Sequence, residues 1–217
     1  MTVTVHPIQP APLAEGLLAR WRKIPVSVIV DLAPDRQIDP AIKPLRPADL
    51  QPALFGRAVT ALCAPPDFGS VLQSLEFVEP GNVLVIAAGG HSGHAMIGDV
   101  LGGHLHSKGV AGVVCDGAIR DTAGLAAMTG FSVYSRAVNP RGPTGAAEGE
   151  VNVAVEIGGC TVSPGDLIIG DGDGLAALTP TNLESLIDAA EAKLALEAEW
   201  TARLTAGDKV GEIFGLP

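Results

Sequence analysis

Short apolar runs alternate with helix-like segments through the middle of the chain. The runs are rich in valine, isoleucine and alanine, as in strands buried on both faces, and the segments between them have helical spacing. Strands are predicted at 58–64, 83–88, 110–115 and 131–138, helices at 68–78, 98–108 and 121–128, and a glycine-rich loop at 89–93. This alternation is typical of right-handed βαβ units, so we expect a largely parallel sheet covered on both faces.

The regions on either side of this alternation have different patterns. Residues 13–23 have helical spacing and 26–32 form a short apolar segment, whereas the five prolines of 34–52 exclude a helix or a central strand and predict an ordered connection or a surface arm. After residue 150, short strands joined by glycine-rich turns predict an antiparallel or barrel-like half; they fall at 151–157, 160–162, 167–170 and 175–178. Thr179 is expected to cap a long helix that ends near residue 205 and packs on a neighbouring element or another subunit.

Composition excludes several classes of protein. The 217 residues carry 14 Lys and Arg against 24 Asp and Glu, a net charge of −10, and no basic run follows a nucleic-acid backbone. The sequence has neither a signal-peptide pattern nor an apolar run near the roughly 20 residues that cross a bilayer, so a soluble cytoplasmic protein without a membrane partner is expected. Cys63, Cys115 and Cys160 lie far apart in apolar segments and are predicted to be buried free thiols.

Familiar catalytic motifs are incomplete. Residues 90–93 lack the glycine spacing of a serine-hydrolase elbow, no G-x-G-x-x-G or P-loop lysine is present, and 171–174 lack the ligands of a calcium loop. Four histidines, placed on the predicted loop and helix, lie within sixteen residues: His91, His94, His104 and His106. Their placement favours polar residues at a pocket mouth over a metal site, and their role is left open.

The strongest chemical signal is Gly98-Asp99-Val100-Leu101, followed after Ile119 by Arg120-Asp121. Asp99 opens a predicted helix, whose free N–H groups can bind a carboxylate, and Arg120 and Asp121 follow a predicted strand, so both segments should meet at one edge of the sheet. The guanidinium suits a substrate carboxylate, and the two aspartates offer the hard oxygen ligands that Mg²⁺ or Mn²⁺ prefers. Together, the guanidinium and the metal ion would hold a bound 2-oxo acid and polarise its 2-oxo group.

Structural roles for the same residues remain open on spacing alone. Asp121 could cap its short helix, Asp99 could cap the preceding turn, and Arg120 could pair with Asp99 or Asp116.

The D-x(20)-R-D spacing within GVAGVVCDGAIRD resembles the RraA-like family, which contains regulators of ribonuclease activity A and 4-hydroxy-4-methyl-2-oxoglutarate / 4-carboxy-4-hydroxy-2-oxoadipate aldolases. The resemblance extends over about 71–178 and includes GFSVYSRAVNPRGPTG and VSPGDLIIGDGDG. It implies an α/β layered αββα-type sandwich, similar to the swivelling phosphohistidine domain, with a long C-terminal helix here. One RraA-like domain, 1–217, would comprise an N-terminal helix and arm (1–52), a core (53–178) and a helical extension (179–217).

The resemblance also implies roles for individual residues. Asp121 would be the direct ligand of a divalent metal, Arg120 would hold the pyruvyl group, and Gly98 to Leu101 would supply backbone amides and the Asp99 carboxylate. A glutamate of an adjacent subunit would reach the metal through water, as Asp99 could; Glu197 is the match, with Glu199 as the alternative. Homotrimers or homohexamers with sites between subunits are expected.

The implied activity is that of a metal-dependent aldolase. It would cleave 4-hydroxy-4-methyl-2-oxoglutarate or 4-carboxy-4-hydroxy-2-oxoadipate to pyruvate plus pyruvate or oxaloacetate, and would decarboxylate oxaloacetate. A Schiff-base lysine is not required. Two alternatives stay open: a non-enzymatic regulator that binds a ribonuclease, and a lyase for a different 2-oxo acid, since residues 91–94 and 102–106 depart from the common pattern.

Overall fold

A computed structural model describes residues 3–216 and has a ten-stranded mixed sheet at its centre. The four middle strands are parallel neighbours in chain order: β4 (Leu54–Leu62), β5 (Asn82–Ile97), β6 (Gly112–Ile119) and β7 (Ser132–Val138). Every residue of β6 is buried, including the one charged residue, Asp116, and the rest of the strand is made of apolar and small residues. The predicted parallel βαβ region is confirmed.

Three short helices connect the parallel strands and cover one of their faces. They are α3 (Gly69–Ser74), α4 (Asp99–Ser107) and α5 (Thr122–Ala127), each shorter than predicted. Their apolar side chains share one core cluster with strand residues such as Leu84 and Val113. Helices α4 and α5 approach closely because Gly102 has no side chain where the Cδ2 methyl group of Leu125 lies.

The glycine-rich segment 89–93 is part of β5, so the predicted loop is wrong. Gly89 and Gly90 have φ of 58° and 77°, and the pairing of β5 with β6 shifts register around His91 and Ala95. Left-handed glycines kink the strand and add bulges, but the pairing resumes and continues to Ile97. Left-handed glycines often end a strand, but Gly89 and Gly90 bend β5 without ending it.

The part of the chain after residue 150 is largely antiparallel, as predicted. Strand β11 (Leu167–Gly170) lies between β4 and β12 (Leu175–Leu178), while β9 (Val155–Ile157) and β10 (Cys160–Val162) form a separate hairpin. The predicted strand 151–157 is divided, because Asn152 has a φ of 62° and separates β8 (Glu150–Val151) from β9. The N-terminal β1 (Thr4–Val5) pairs with β8.

The proline-rich arm is an ordered connection. After α2 (Val26–Leu32) and a 3-10 turn (Pro34–Arg36), β2 (Gln37–Ile38) pairs with β12 and β3 (Lys43–Pro44) pairs with β7. These strands lie at opposite ends of the strand order, yet only residues 39–42 separate them, which span at most roughly 18 Å. The sheet therefore curls until its ends nearly meet, and a second core cluster fills its interior.

The long C-terminal helix is confirmed as α6 (Pro180–Ala206), followed by α7 (Val210–Phe214). The Thr179 hydroxyl oxygen accepts from the Asn182 backbone N–H at 3.2 Å, and the Asn182 side-chain oxygen Oδ1 accepts from the Thr179 backbone N–H at 3.1 Å. The first half of α6 packs on α1 (Glu15–Trp21), α2 and the antiparallel strands in a third core cluster. Among residues 3–216, no helix is long and apolar enough to cross a bilayer.

Candidate functional site

A cavity of about 230 Å³ opens at the carboxyl ends of β5 and β6. Gly98 follows β5 and Arg120-Asp121 follows β6, so the two predicted segments meet at one sheet edge as expected. Five of the predicted substrate and metal residues line this cavity: Gly98, Val100, Leu101, Arg120 and Asp121. The wall is completed by side chains of α3, β5 and a loop after β7, namely Phe68, Leu72, Ala95, Met96, Ile97 and Pro143.

Asp121 has an unusual backbone conformation. Its φ of 55° and ψ of 43° lie in the left-handed region, which is uncommon for residues other than glycine. It occupies the N-cap position of α5, but its side chain makes no capping hydrogen bond, so a capping role for the carboxylate is not supported. One carboxylate oxygen, Oδ2, lies 3.3 Å from Arg120 Nε, and both side chains are about 40% exposed.

Arg120 pairs with neither of the partners that spacing left open. Its ion pair is with Asp121, whereas Asp116 is 5% exposed and lies 2.5 Å from Arg136 Nε. The Arg120 backbone N–H donates to the Ile97 carbonyl at 3.0 Å, which fixes the end of β6 against β5. Arg120 is therefore free of a buried structural ion pair, and its side chain lines the cavity.

Two glycines make room for the ion pair. A Cβ built on Gly98 would overlap Asp121 Oδ2 and would lie 2.9 Å from Arg120 Cγ. A Cβ on Gly142 would lie 2.6 Å from Arg120 Nη1. The guanidinium thus lies between the segment before α4 and the loop after β7, both of which approach it through backbone alone.

The loop over Arg120, residues 139–149, is tied to the sheet at its start. The Asn139 N–H donates to the Ile119 carbonyl at 3.0 Å, and the Ala95 N–H donates to the Arg141 carbonyl at 2.8 Å. Pro143 of the same loop is part of the cavity wall. The loop is therefore held where it can restrict the position of the guanidinium.

Asp99 and Glu197 lie outside the cavity wall. Asp99 opens α4 as predicted, but its carboxylate packs toward α5, where a Cβ on Gly124 would lie 2.9 Å from Asp99 Oδ2. The N-cap of α4 is Gly98 and Asp99 is the first helical residue, so a capping role for the Asp99 side chain is not supported either. Glu197 pairs with Lys193 Nζ at 3.3 Å on α6, and its role toward another subunit remains a prediction.

None of the four clustered histidines lines the cavity. His91 Nε2 and His94 Nδ1 are 3.2 Å apart on β5, with the two rings nearly parallel, and His106 Nε2 lies 2.9 Å from the Thr129 carbonyl. In residues 3–216, no group of three His, Cys, Asp or Glu side chains could hold a metal ion.

The donor set of the cavity fits a divalent ion that keeps most of its other ligands. Asp121 is the one carboxylate among the lining residues, and its side chain is about 40% exposed. Mg²⁺ is commonly bound through one or two carboxylates and retains several waters or substrate oxygens. A single carboxylate beside a guanidinium therefore fits Mg²⁺ or Mn²⁺ better than a caged zinc ion.

Sequence reasoning missed most of the apolar wall. Phe68 and Leu72 come from the region of α3, Met96 from the end of β5 and Pro143 from the loop after β7. Of these, only Pro143 could have been recognised from the sequence, because the glycine and prolines of NPRGPTG indicate an ordered loop. The other three are apolar residues that local sequence does not distinguish from core.

Comparison with known proteins points to one family. The RraA-like model, described as Aldolase/RraA, matches residues 26–176. A Halalkalibacterium halodurans protein named "Putative 4-hydroxy-4-methyl-2-oxoglutarate aldolase" is 33% identical over 179 residues, which cover 82% of this chain and 83% of that protein.

Solved structures show the same likeness. The RNA-processing inhibitor RraA of Thermus thermophilus has a TM-score of 0.62 at 30% identity, covering 70% of this chain and 90% of its own. An uncharacterised Pseudomonas syringae protein has a TM-score of 0.83 at 20% identity, covering 98% of this chain and 99% of its own, which shows a shared fold. Streptomyces coelicolor RraAS2 has a TM-score of 0.75 at 24% identity, covering 90% of this chain and 100% of its own.

Proposed function

We propose that this chain, which belongs to the RraA-like family, is a divalent-metal-dependent lyase that releases pyruvate from a 4-hydroxy-2-oxo acid. The reaction class is that of 4-hydroxy-4-methyl-2-oxoglutarate and 4-carboxy-4-hydroxy-2-oxoadipate aldolases, the latter reaction giving oxaloacetate as the second product. The observation that carries the proposal is the Arg120-Asp121 ion pair, held in one cavity by a left-handed Asp121 and by Gly98.

Each residue of the pair has a distinct task in this proposal. Arg120 would bind the C1 carboxylate of the 2-oxo acid through its planar fork, and the N–H groups at the start of α4 would orient that carboxylate. Asp121 would hold Mg²⁺ or Mn²⁺, and the bound ion would withdraw electrons from the 2-oxo group. A water molecule would accept the proton of the C4 hydroxyl; Asp99, whose carboxylate lies outside the cavity wall beside Gly124, would act on it only by orienting such a water.

Oxaloacetate decarboxylation is the expected second activity. The same electron withdrawal that weakens a C3–C4 bond with a hydroxyl at C4 also weakens the bond to a departing CO₂. We also propose that the protein assembles as a homotrimer or homohexamer, in which Glu197 of an adjacent subunit could approach the metal.

A test of the proposal is coupled pyruvate detection with Mg²⁺ or Mn²⁺ and a panel of 4-hydroxy-2-oxo acids and oxaloacetate. Asp121→Ala should abolish both turnover and metal binding, because the cavity has no other carboxylate. Asp173→Ala, in an exposed turn far along the chain, is the matched control and should retain both. Full turnover by Asp121→Ala, or by the wild type in EDTA, would exclude the proposal.

Non-enzymatic regulation of a ribonuclease is the second candidate. It is favoured by the 30% identity to the Thermus thermophilus RNA-processing inhibitor and by a net charge of −10, which suits a basic protein partner. A stable complex with a ribonuclease, together with no pyruvate release from any member of the panel, would favour this candidate over the lyase.

A further inference from the structure

A second cavity, of about 300 Å³, lies at the opposite end of β5 from the proposed reaction site. Asn82, the first residue of β5, belongs to its wall, whereas Gly98 of the first cavity follows the last residue of that strand. The rest of the wall comes from the N-terminal segment 6–12, from β4 and from the turns before β5, β9 and β11. None of the groups proposed to act in pyruvate release lines it, so this cavity has a chemistry of its own.

Arg57, on β4, supplies the positive charge of the second cavity. Its Nε donates to the Gly165 carbonyl at 3.1 Å, and neither Nη nitrogen has a protein acceptor among residues 3–216. Asp166, which attracts Arg57, forms its own ion pair with Arg36 Nη2 at 3.9 Å. Burial lowers the pKa of Arg57, and the attraction of Asp166 offsets this only in part. A carboxylate bound in the cavity would compensate the guanidinium through its two Nη groups.

A buried asparagine belongs to the same wall. Asn152 is 4% exposed, and its side-chain oxygen Oδ1 is buried without a hydrogen-bond partner in the described part of the chain. Its backbone is left-handed, with φ of 62°, and its N–H donates to the Thr60 carbonyl at 2.9 Å, which fixes the residue beside β4. A buried acceptor without a donor is costly, so a ligand that brings an N–H group to this oxygen would be stabilised.

The exposed part of the wall carries one carboxylate and two large apolar side chains. Glu79 is exposed, and its backbone N–H donates to the Asn82 side-chain oxygen at 2.9 Å. Ile8 and Phe77 are 37% and 38% exposed although both are hydrophobic. An anion alone would be repelled by Glu79, whereas a zwitterion meets a charge of opposite sign at each end and can cover the apolar side chains.

The N-terminal segment closes one side of the cavity. Gly165 has φ of 89°, and a Cβ built on it would lie 2.7 Å from Pro10 Cβ and 2.9 Å from Arg57 Nη2. Glycine in this turn therefore lets the N-terminal segment and the guanidinium approach the same point. A ligand held by Arg57 would consequently lie next to this segment.

We infer that the second cavity binds a zwitterionic α-amino acid with an apolar side chain. The ligand carboxylate would pair with Arg57. Its ammonium group would donate to Asn152 Oδ1 and lie near the negative charge of Glu79. Its side chain would contact Ile8 and Phe77. The inference is independent of the proposed function, because it uses no residue of the first cavity.

Calorimetry with matched ligands tests this recognition. Of alanine, valine, leucine and phenylalanine, the tightest binder should have a Kd of about 1 mM or lower for the wild-type protein. It should bind at least about tenfold more tightly than the acid that lacks its ammonium group or the amine that lacks its carboxylate. For leucine these analogues are 4-methylpentanoate and 3-methylbutylamine. Failure of all four amino acids to bind, or equal affinity for the acid analogue, would overturn the inference.

Hydrogen exchange locates the bound ligand without relying on turnover. The amino acid should slow exchange in the N-terminal segment 6–12 and leave exchange in residues 98–101 unchanged, because only the former borders the second cavity. Protection of 98–101 instead would place the ligand in the first cavity and contradict the inference.

Substitutions separate the two cavities. Arg57→Gln should weaken amino-acid binding by at least about tenfold, whereas Arg22→Gln, the same change at an exposed arginine outside this cavity, should leave it within about twofold. Asn152→Gly keeps a residue that tolerates the left-handed backbone, and it should reduce the preference over the acid analogue to less than about threefold. Loss of binding in Arg120→Gln but not in a folded Arg57→Gln protein would refute the assignment.

Discussion

Single residues at the sheet edge determine whether the ion pair can form. Gly98 has extended backbone, with φ of −141°, so it is required here for space and not for a left-handed conformation. Gly98→Ala should lower kcat/KM by about 10²-fold, because the new methyl group displaces Asp121 Oδ2 and Arg120. Steady-state kinetics with saturating Mg²⁺ measure this loss.

Gly16→Ala is the control for that substitution. Gly16 lies in α1 with no heavy atom within 4 Å of an added Cβ, so alanine should stabilise the helix by about 0.5–1 kcal/mol and leave kinetics unchanged. If Gly98→Ala retains full activity, the close approach of Gly98 to the ion pair has no functional importance.

The residues of the site were more predictable than their surroundings. The local sequence pattern predicts that Asp99 begins a helix and that Arg120 and Asp121 follow a buried strand, because the bounds of these elements depend on neighbouring residues. The left-handed conformation of Asp121 and the approach of Gly142 depend on the loop after β7, which is distant in sequence.

Cys115 and Cys160 are buried free thiols as predicted; Cys63 is half-buried, and burial raises its pKa to about 11.

At the scale of elements, one carboxylate holds the loop that leads away from the site. Asp67 Oδ1 accepts from the N–H groups of Gly69, Ala147 and Glu148 at 2.7, 3.1 and 3.0 Å. Burial alone would raise the pKa of Asp67, but these hydrogen bonds outweigh it and lower the pKa below its ordinary value. The ionised form therefore stabilises the loop above the ordinary pKa, and this stabilisation is lost as pH falls through the lowered value.

Asp67→Ala should loosen the loop and weaken substrate binding. We expect faster hydrogen exchange at Ala147 and Glu148 and a KM increased by up to about tenfold, with Mn²⁺ affinity unchanged because the loop contacts Arg120 rather than Asp121. Asp49→Ala, at an exposed position, should change neither quantity. Unaltered hydrogen exchange at Ala147 and Glu148 in Asp67→Ala would show that Asp67 does not restrain the loop.

The start of α6 is a second element that depends on one side chain. Thr179→Ala removes the hydroxyl that accepts from the Asn182 N–H and should lower the free energy of unfolding by about 1 kcal/mol. Urea denaturation measures the change, with the exposed Thr181→Ala as control. Equal stability of the two variants would show that the cap contributes little.

Elements with strong local signals were predicted well, and those that depend on tertiary pairing were not. The α6 cap and the fully buried β6 follow directly from residue types. Segment 89–93 contains the glycines of a loop, but pairing with β6 keeps it in the sheet. Strands β2 and β3 contain too few residues to be recognised, and they exist because β12 and β7 offer unpaired edges.

The whole molecule has three core clusters, which lie between successive layers of structure. Helices α3–α5 cover the parallel strands, these strands face the antiparallel strands across the curled sheet, and α1, α2 and α6 cover the far side. The alternation of strands and helices predicted the first cluster. The closure of the sheet through residues 39–42 could not be predicted, because it depends on which strands lie at the two edges.

Assembly is the prediction that belongs to this scale. The end of α6 and α7 expose apolar side chains that a neighbouring copy could cover, including Leu204, Val210 and Phe214. Light scattering should give three or six times the 22.1 kDa chain mass. A monomer at micromolar concentration would contradict the proposed trimer or hexamer.

The central claim is that Asp121 holds a divalent ion to which a 2-oxo acid can also bind. Its most direct test is Mn²⁺ titration followed by water-proton relaxation, with and without oxalate as an unreactive ligand. The wild-type protein should bind one Mn²⁺ per chain, and more tightly with oxalate, whereas Asp121→Asn should lose at least about tenfold in affinity. Equal Mn²⁺ affinity in the two proteins would contradict it.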